Sequence, residues 1–77
     1  MFYTIINLEG KFISLGFSTS YKNGKEAKFI ITEQPVLFEL FYDTIEKVQE
    51  YIWTKEEYPY LDWDGFKMQK IKIEFIS

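Results

Sequence analysis

Residues 2–17 read F-Y-T-I-I-N-L-E-G-K-F-I-S-L-G-F, two runs rich in β-branched and aromatic residues with the turn signal E-G between them. Runs of this composition favour strands, and a short break that contains glycine favours a hairpin. Phe2–Leu8 and Lys11–Phe17 are therefore predicted as the first two antiparallel strands. Gly16 interrupts the second strand and is predicted to mark a β-bulge, in preference to a close approach of a ligand.

The dipeptide Asn23-Gly24 is a second hairpin signal, because both residues tolerate positive φ. It predicts a third strand over Ala27–Thr32. A two-residue turn would set the register of this hairpin, and the predicted cross-strand pairs are Phe17 with Ile30, Tyr21 with Glu26 and Lys22 with Lys25. Facing lysines are tolerated where water surrounds them, so the tip of this hairpin is predicted to project into solvent.

The segment Val36–Tyr42 has two interpretations. It follows Pro35, which could occupy the first position of a helix, or it could form a short fourth strand. Its aromatic content favours the strand.

A helix is predicted to begin at Asp43, because the residues D-T-I-E match a capping box. In that motif the Asp43 carboxylate accepts from a first-turn amide while Glu46 reaches back, and both charges favour the positive end of the helix dipole. A 3.6-residue period gathers an apolar stripe, formed by Ile45, Val48 and Ile52 with Tyr51 at its edge. The opposite face holds four acids, namely Asp43, Glu46, Glu50 and Glu57. Trp53 is predicted beside these acids rather than in the stripe.

Pro59 ends any helical run, so residues 58–65 are predicted as a loop. The final strand is predicted over Phe66–Ile76, where apolar and polar residues alternate. One face carries Ile71, Ile73 and Phe75, and the other carries Lys70, Lys72 and Glu74. Met68 is out of phase with this alternation, which predicts a bulge or a strand that starts near Gln69.

These elements predict one α+β domain over residues 1–77. It is a small antiparallel meander of four to five strands, with one helix packed on one face and a final strand after the helix. Seventy-seven residues leave little room for a second domain. Hydrophobic residues make up 47% of the chain and aromatic residues 21%, and large rings bury enough apolar surface for a folded core.

The chain has no Cys, no His and no Arg. Without Cys there are no disulfides or thiolate metal sites, and without His the commonest general base and metal ligand is missing. Without Arg there is no bidentate grip on phosphate or guanine. These gaps argue against an enzyme, a cofactor and a metal site. The net charge of −3 argues against direct binding of nucleic acid.

Residues 1–8 are apolar, but they are few, carry no basic leader and include polar side chains, so they do not match a signal peptide. No run approaches the ~20 apolar residues that a membrane-spanning helix needs. No membrane association is expected, and the cytoplasm is the expected compartment.

Negative charge is concentrated in residues 39–64, where eight acids stand against two lysines, a formal charge of −6. The other residues carry +3. Tyr and Trp interleave with these acids. Such rings dominate binding energy when they fill a pocket of a partner, and acids steer a basic partner from a distance.

This pattern predicts a non-enzymatic protein-binding surface for a basic host protein, such as the groove of a nucleic-acid enzyme. Its residues are Asp43, Glu46, Glu50, Trp53, Glu56, Glu57, Tyr58, Tyr60, Asp62, Trp63 and Asp64. An ordinary solvated acidic face, with Trp63 in the core beneath the loop, is the alternative.

Other chemistries are less favoured. Glu56-Glu57 and the pair Asp62 and Asp64 could be catalytic carboxylates or a hard-cation site. A solvated acidic loop is preferred, because D-W-D-G lacks the later ligands and the terminal Glu of a calcium loop. Two further functions stay open, namely self-association through an exposed strand edge and binding of single-stranded nucleic acid on sheet aromatics.

The opening hairpin I-I-N-L-E-G-K-F-I-S-L-G-F and the helix F-Y-D-T-I-E-K-V-Q-E-Y-I are similar to those of one class of small proteins. The chain resembles the short, acidic, Cys-free accessory proteins of AT-rich phages and mobile elements of Gram-positive bacteria. Some members of that class inhibit host defence, including anti-CRISPR proteins that occupy the DNA-binding groove of a nuclease. The resemblance implies a nucleic-acid-mimicking inhibitor, and it transfers no functional residue because the class shares no site.

Overall fold

The computed structural model describes the backbone of residues 1–20 and 24–75, and their side chains except at positions 18–20, 24 and 25. The elements in chain order are β1 (Phe2–Ile6), β2 (Phe12–Ser20), β3 (Gly24–Thr32), α1 (Ile45–Tyr51) and β4 (Lys67–Ile71). The strands form one antiparallel sheet in the order β3-β2-β1-β4. The α+β class is confirmed, and the part of the chain that the structure describes has one helix with a final strand after it. Within the described ranges, no helix is long and apolar enough to cross a membrane.

The first hairpin forms where the sequence predicts it. Ile6 pairs with Phe12, and Gly10 in the turn has a φ of +77°, which glycine adopts without steric cost. The side chain of Asn7 closes the turn, because its Oδ1 accepts a hydrogen bond from the backbone N–H of Lys11 at 2.9 Å. The turn therefore depends on an asparagine as well as on the predicted glycine.

The second hairpin pairs in a different register from the predicted one. Phe17 lies opposite Ala27 rather than Ile30, and the pairing of Ser20 with Gly24 leaves three residues between the strands instead of two. Because the register shifts by an odd number of residues, each β3 side chain changes face relative to β2. The predicted partners Tyr21 and Lys22 lie outside the described residues, and the observed pairs are Glu26 with Ser18 and Lys25 with Thr19.

Gly16 does not mark a bulge, since the pairing of β2 with β3 is uninterrupted. The reason for a glycine here is space. A Cβ at Gly16 would lie 2.8 Å from Cγ2 of Ile30, a separation that real Cβ atoms essentially never show. Gly16 therefore leaves room for the Ile30 side chain on that face of the sheet.

The segment 36–42 forms neither a helix nor a strand of its own. It meets the sheet at one antiparallel bridge, in which the N–H groups of Tyr3 and Phe38 each donate to the other's carbonyl oxygen at 2.8 Å. Phe38 is buried, whereas Leu40 and Phe41 are exposed. The predicted fourth strand is thus reduced to a single pair of residues.

Helix α1 is capped one residue later than predicted. Thr44 is the N-cap, since its Oγ1 accepts from the backbone N–H of Lys47 at 3.3 Å. Glu46 is then the second helical residue rather than the third, so the predicted capping box does not form. The Asp43 carboxylate instead accepts from the ammonium group of Lys47 at 2.8 Å.

Side chains of the sheet, the bridge and the helix share one core. Its buried members are Ile5, Ile13, Phe38 and Val48. The predicted apolar stripe is confirmed, since Val48 is fully buried and Ile45 and Ile52 pack against the same cluster. Burial of such side chains is the main force that holds a short helix in place.

Trp53 packs into this core rather than beside the acids, which corrects the prediction. Its ring centroid lies 5.4 Å from that of Phe38 and 5.9 Å from that of Phe29. The helix ends at Tyr51, so a 3.6-residue period does not extend to position 53. Instead, the backbone N–H of Trp53 donates to the carbonyl of Val48 at 2.9 Å, in a turn that directs the chain back to the sheet.

Strand β4 is shorter than predicted and includes Met68 without a bulge. It pairs with β1 in an unbroken register, in which Met68 lies opposite Ile5 and packs against the core. The strand ends at Ile71 because its partner there is Phe2, the first residue of β1. Beyond that point no β1 residue remains to pair with, and Ile73 and Phe75 are exposed rather than half-buried.

Candidate protein-binding surface

The eight acids of residues 39–64 are all exposed. Lys47 pairs with one of them, Asp43, and this hydrogen bond holds the pKa of the Asp43 carboxyl below its ordinary value. The other predicted acids have no ion-pair partner among the described residues, and they are Glu46, Glu50, Glu56, Glu57, Asp62 and Asp64. Their charge is directed at solvent.

The predicted aromatic residues divide into two groups. Tyr60 is 94% exposed, and Tyr58 is half-buried with its ring centroid 6.4 Å from that of Phe17. Trp53 and Trp63 are half-buried in the core cluster, with centroids 6.3 Å apart. The structure therefore exposes Tyr60, leaves Tyr58 partly covered against Phe17, and packs much of each indole against the core.

Short-range hydrogen bonds hold the loop that carries the tyrosines. The Oγ1 of Thr54 accepts from the N–H of Glu57 at 3.3 Å, and its carbonyl accepts from the N–H of Tyr58 at 2.8 Å. Toward the other end, Oδ1 of Asp62 accepts from the N–H of Asp64 at 3.1 Å. Asp62 therefore shapes the loop in addition to contributing charge.

A groove of about 790 Å³ lies between this loop and the sheet, and we call it the β3 groove. Its lining residues are Phe17 on β2, Glu26, Ala27 and Lys28 on β3, and residues 57–61 on the loop. A smaller hollow of about 300 Å³ adjoins it and reaches Asp62 and Phe66. The loop side was predicted from the sequence, but the sheet side was missed because the wrong register separated Phe17 from Ala27.

A second exposed patch was not predicted at all. The rings of Phe41 and Tyr51 lie 5.6 Å apart, both more than half exposed, and the Lys47 ammonium lies 4.8 Å from the centroid of the Phe41 ring. Leu40, which precedes Phe41 in the chain, is also exposed. Assigning residues 36–42 to a strand concealed this patch, because a strand would have alternated these side chains between core and solvent.

The described residues contain no group of three or more acidic, His or Cys side chains that could hold a metal ion. Comparison of the chain with protein-family models, with curated proteins and with solved structures finds no match. The surface must therefore be interpreted from its own charge, rings and shape.

Proposed function

We propose that this protein is a non-enzymatic binding module that engages a basic partner protein through its acidic, aromatic surface. The observation that carries the proposal is the position of Tyr60, which is 94% exposed on a loop whose neighbouring carboxylates all face solvent. A large ring so exposed in water has no stabilising role in the fold. It gains free energy only when a partner covers it.

The two kinds of residue would act at different stages of binding. The carboxylates attract a basic surface over distances set by the Debye length, which is about 10 Å at 0.1 M salt. Tyr58 and Tyr60 would then fill apolar or cation-bearing pockets of the partner at short range. The half-buried Trp53 and Trp63 would contact the partner only through their exposed edges. Their main role would be to hold the loop in place.

The charge of the surface also suggests the kind of partner. A charge of −6 within residues 39–64 is suited to a surface that normally holds phosphates, so we propose a nucleic-acid mimic that blocks a host nuclease or defence protein. The resemblance to phage accessory proteins, including anti-CRISPR proteins, supports the same direction. The cytoplasm remains the proposed compartment, and the absence of Cys suits a reducing environment.

A charge-matched capture experiment tests the proposal. Tagged wild type and Glu46→Lys/Glu50→Lys are incubated with lysate of a Gram-positive host, and the control is Glu9→Lys/Glu33→Lys, whose exposed acids lie outside residues 39–64. Both variants have the same net charge. A specific partner retained by wild type and control but lost by the helix variant supports the proposal. Equal retention by all three contradicts it.

Self-association through a strand edge is the second candidate. Within the described residues β3 and β4 are the two edges of the sheet, and Ile31 on β3 is exposed. Sedimentation equilibrium at micromolar concentration tests this candidate. A stable dimer favours it, and a monomer removes it.

A further inference from the structure

Three successive residues of β3 line the β3 groove, namely Glu26, Ala27 and Lys28. Neighbouring side chains of a strand point to opposite faces, so a groove that all three line reaches the edge of the strand. Strand β3 is the outermost strand on its side of the sheet. Because Phe17 on β2 also lines it, the groove runs from the face that carries Phe17 and Ala27 to the edge of β3.

The edge of β3 is not paired with the loop across the groove. Among the described residues, no backbone hydrogen bond joins β3 to residues 57–61. An edge strand of an antiparallel sheet presents a row of unpaired N–H and C=O groups to its surroundings. An extended polypeptide can pair with such a row, and its side chains then alternate between the two walls of the site.

The two walls of the β3 groove differ in size and polarity, and together they leave space for the side chains of an extended polypeptide. Ala27, the only alanine in the sequence, contributes a methyl group where its cross-strand partner is the large ring of Phe17. Tyr58, Pro59 and Tyr60 form the opposite wall. The small residue leaves room at the strand, and the rings supply apolar contact for a side chain that enters between them.

Charge indicates which peptide fits. The groove and its adjoining hollow are lined by three acids, Glu26, Glu57 and Asp62, and by one cation, Lys28. All four side chains belong to exposed residues, so the balance of the lining is negative. Lysine or arginine side chains of a bound segment would pair with these carboxylates, and their alkyl stems would lie along the tyrosine rings.

We propose that the β3 groove binds an extended, lysine- or arginine-bearing peptide segment that adds to the edge of β3. This inference rests on the proposed function and specifies the form of the partner there. The segment forms main-chain hydrogen bonds with β3, packs against Tyr58 and Tyr60, and places its cations near Glu26 and Glu57.

The first test is selection from a phage-displayed library of random nine-residue peptides on immobilised wild-type protein. The expected result is enrichment of peptides that carry lysine or arginine, and fluorescein-labelled copies should bind in solution by anisotropy. No enrichment, or enrichment of peptides without basic residues, overturns the inference.

Groove-filling variants locate the bound peptide. Ala27→Phe places a ring in the β3 groove and should weaken the selected peptides about tenfold or more. Ile31→Phe is the matched control, because Ile31 lies on the same face of β3, is exposed, and is not part of the groove lining. Tyr60→Ser should also weaken binding, and its exposed position keeps the fold intact. Peptide affinities unchanged in Ala27→Phe and Tyr60→Ser overturn the inference.

The outcomes separate this inference from the proposed function. A captured partner that is lost with Glu46→Lys/Glu50→Lys but retained with Ala27→Phe supports the proposed function and overturns the groove inference. If Ala27→Phe weakens peptide binding but Glu46→Lys/Glu50→Lys captures the same proteins as wild type, the groove site is supported and the proposed function is contradicted. A dimer of the protein that Ala27→Phe disperses identifies a second copy as the occupant, which also overturns the peptide inference.

Discussion

The indole ring of Trp63 lies edge-on to the phenyl ring of Phe29, with the two centroids 4.7 Å apart. Phe29 makes a second edge-on contact with Phe66 at 4.9 Å and a tilted one with Trp53 at 5.9 Å. One residue of β3 thus holds three rings from the chain that follows it. These contacts hold the two ends of the loop against β3, where the β3 groove lies.

Alanine at Trp63 should therefore cost stability, whereas alanine at Tyr60 should not. Removal of the half-buried indole forfeits its packing on Phe29, and the expected loss is about 2–3 kcal/mol of unfolding free energy. Tyr60→Ala changes an exposed side chain and should stay within about 0.5 kcal/mol of wild type. Urea denaturation followed by circular dichroism measures both. Equal effects at the two positions would contradict the division between core and surface rings.

The register of the second hairpin can be tested at Gly16. In the observed register a methyl group there meets Ile30, so Gly16→Ala should destabilise the fold by about 1–2 kcal/mol through overpacking. Ile30→Ala should recover part of this loss when the two changes are combined, because the clash disappears. A double-mutant cycle by urea denaturation measures the coupling. Additive effects would indicate that the two residues do not meet.

The position of the helix cap gives a second check on local structure. Thr44→Ala removes the acceptor of the Lys47 amide hydrogen bond and should cost about 1 kcal/mol. Asp43→Ala removes an exposed ion pair and should cost less, because water and salt screen such pairs. The two variants are compared by thermal and urea denaturation. The opposite order would restore Asp43 as the cap.

Local sequence patterns predicted most of the helix and strands. The wrong predictions concern residues whose positions depend on contacts between segments that are far apart in the sequence. The stripe of Ile45, Val48 and Ile52 was predicted correctly because the 3.6-residue period within one helix determines which residues share a face. Trp53 was misplaced because its position depends on where the helix ends and on rings of β3 far away in sequence. The β3 groove was missed because the observed register of β3 against β2 differs by three residues from the predicted one, which changes which side chains of the two strands meet.

Asp43 should titrate below the ordinary aspartate pKa of 3.8, because the hydrogen bond from Lys47 stabilises its charged form. The unfolded chain lacks this bond, so the pair contributes to stability above about pH 4, and the contribution is lost as the pH falls through the lowered pKa. Carboxyl NMR titration of wild type and Lys47→Met measures the shift. The Asp43 midpoint should rise toward 3.8 in the variant. An unchanged midpoint would show that the pair does not form in solution.

The carboxylates of α1 and the ring of Tyr60 should affect different rate constants of partner binding. Glu46 and Glu50 are exposed and have no ion-pair partner among the described residues, so Glu46→Lys/Glu50→Lys should slow association about tenfold at low salt and by a smaller factor at 0.5 M salt. Tyr60→Ala should leave association nearly unchanged and speed dissociation, because its contacts form only after encounter. Surface plasmon resonance with the captured partner at two salt concentrations separates the two effects. Association that is insensitive to salt, with the helix variant equal to wild type, would remove the electrostatic part of the proposal and leave the tyrosines alone to carry recognition.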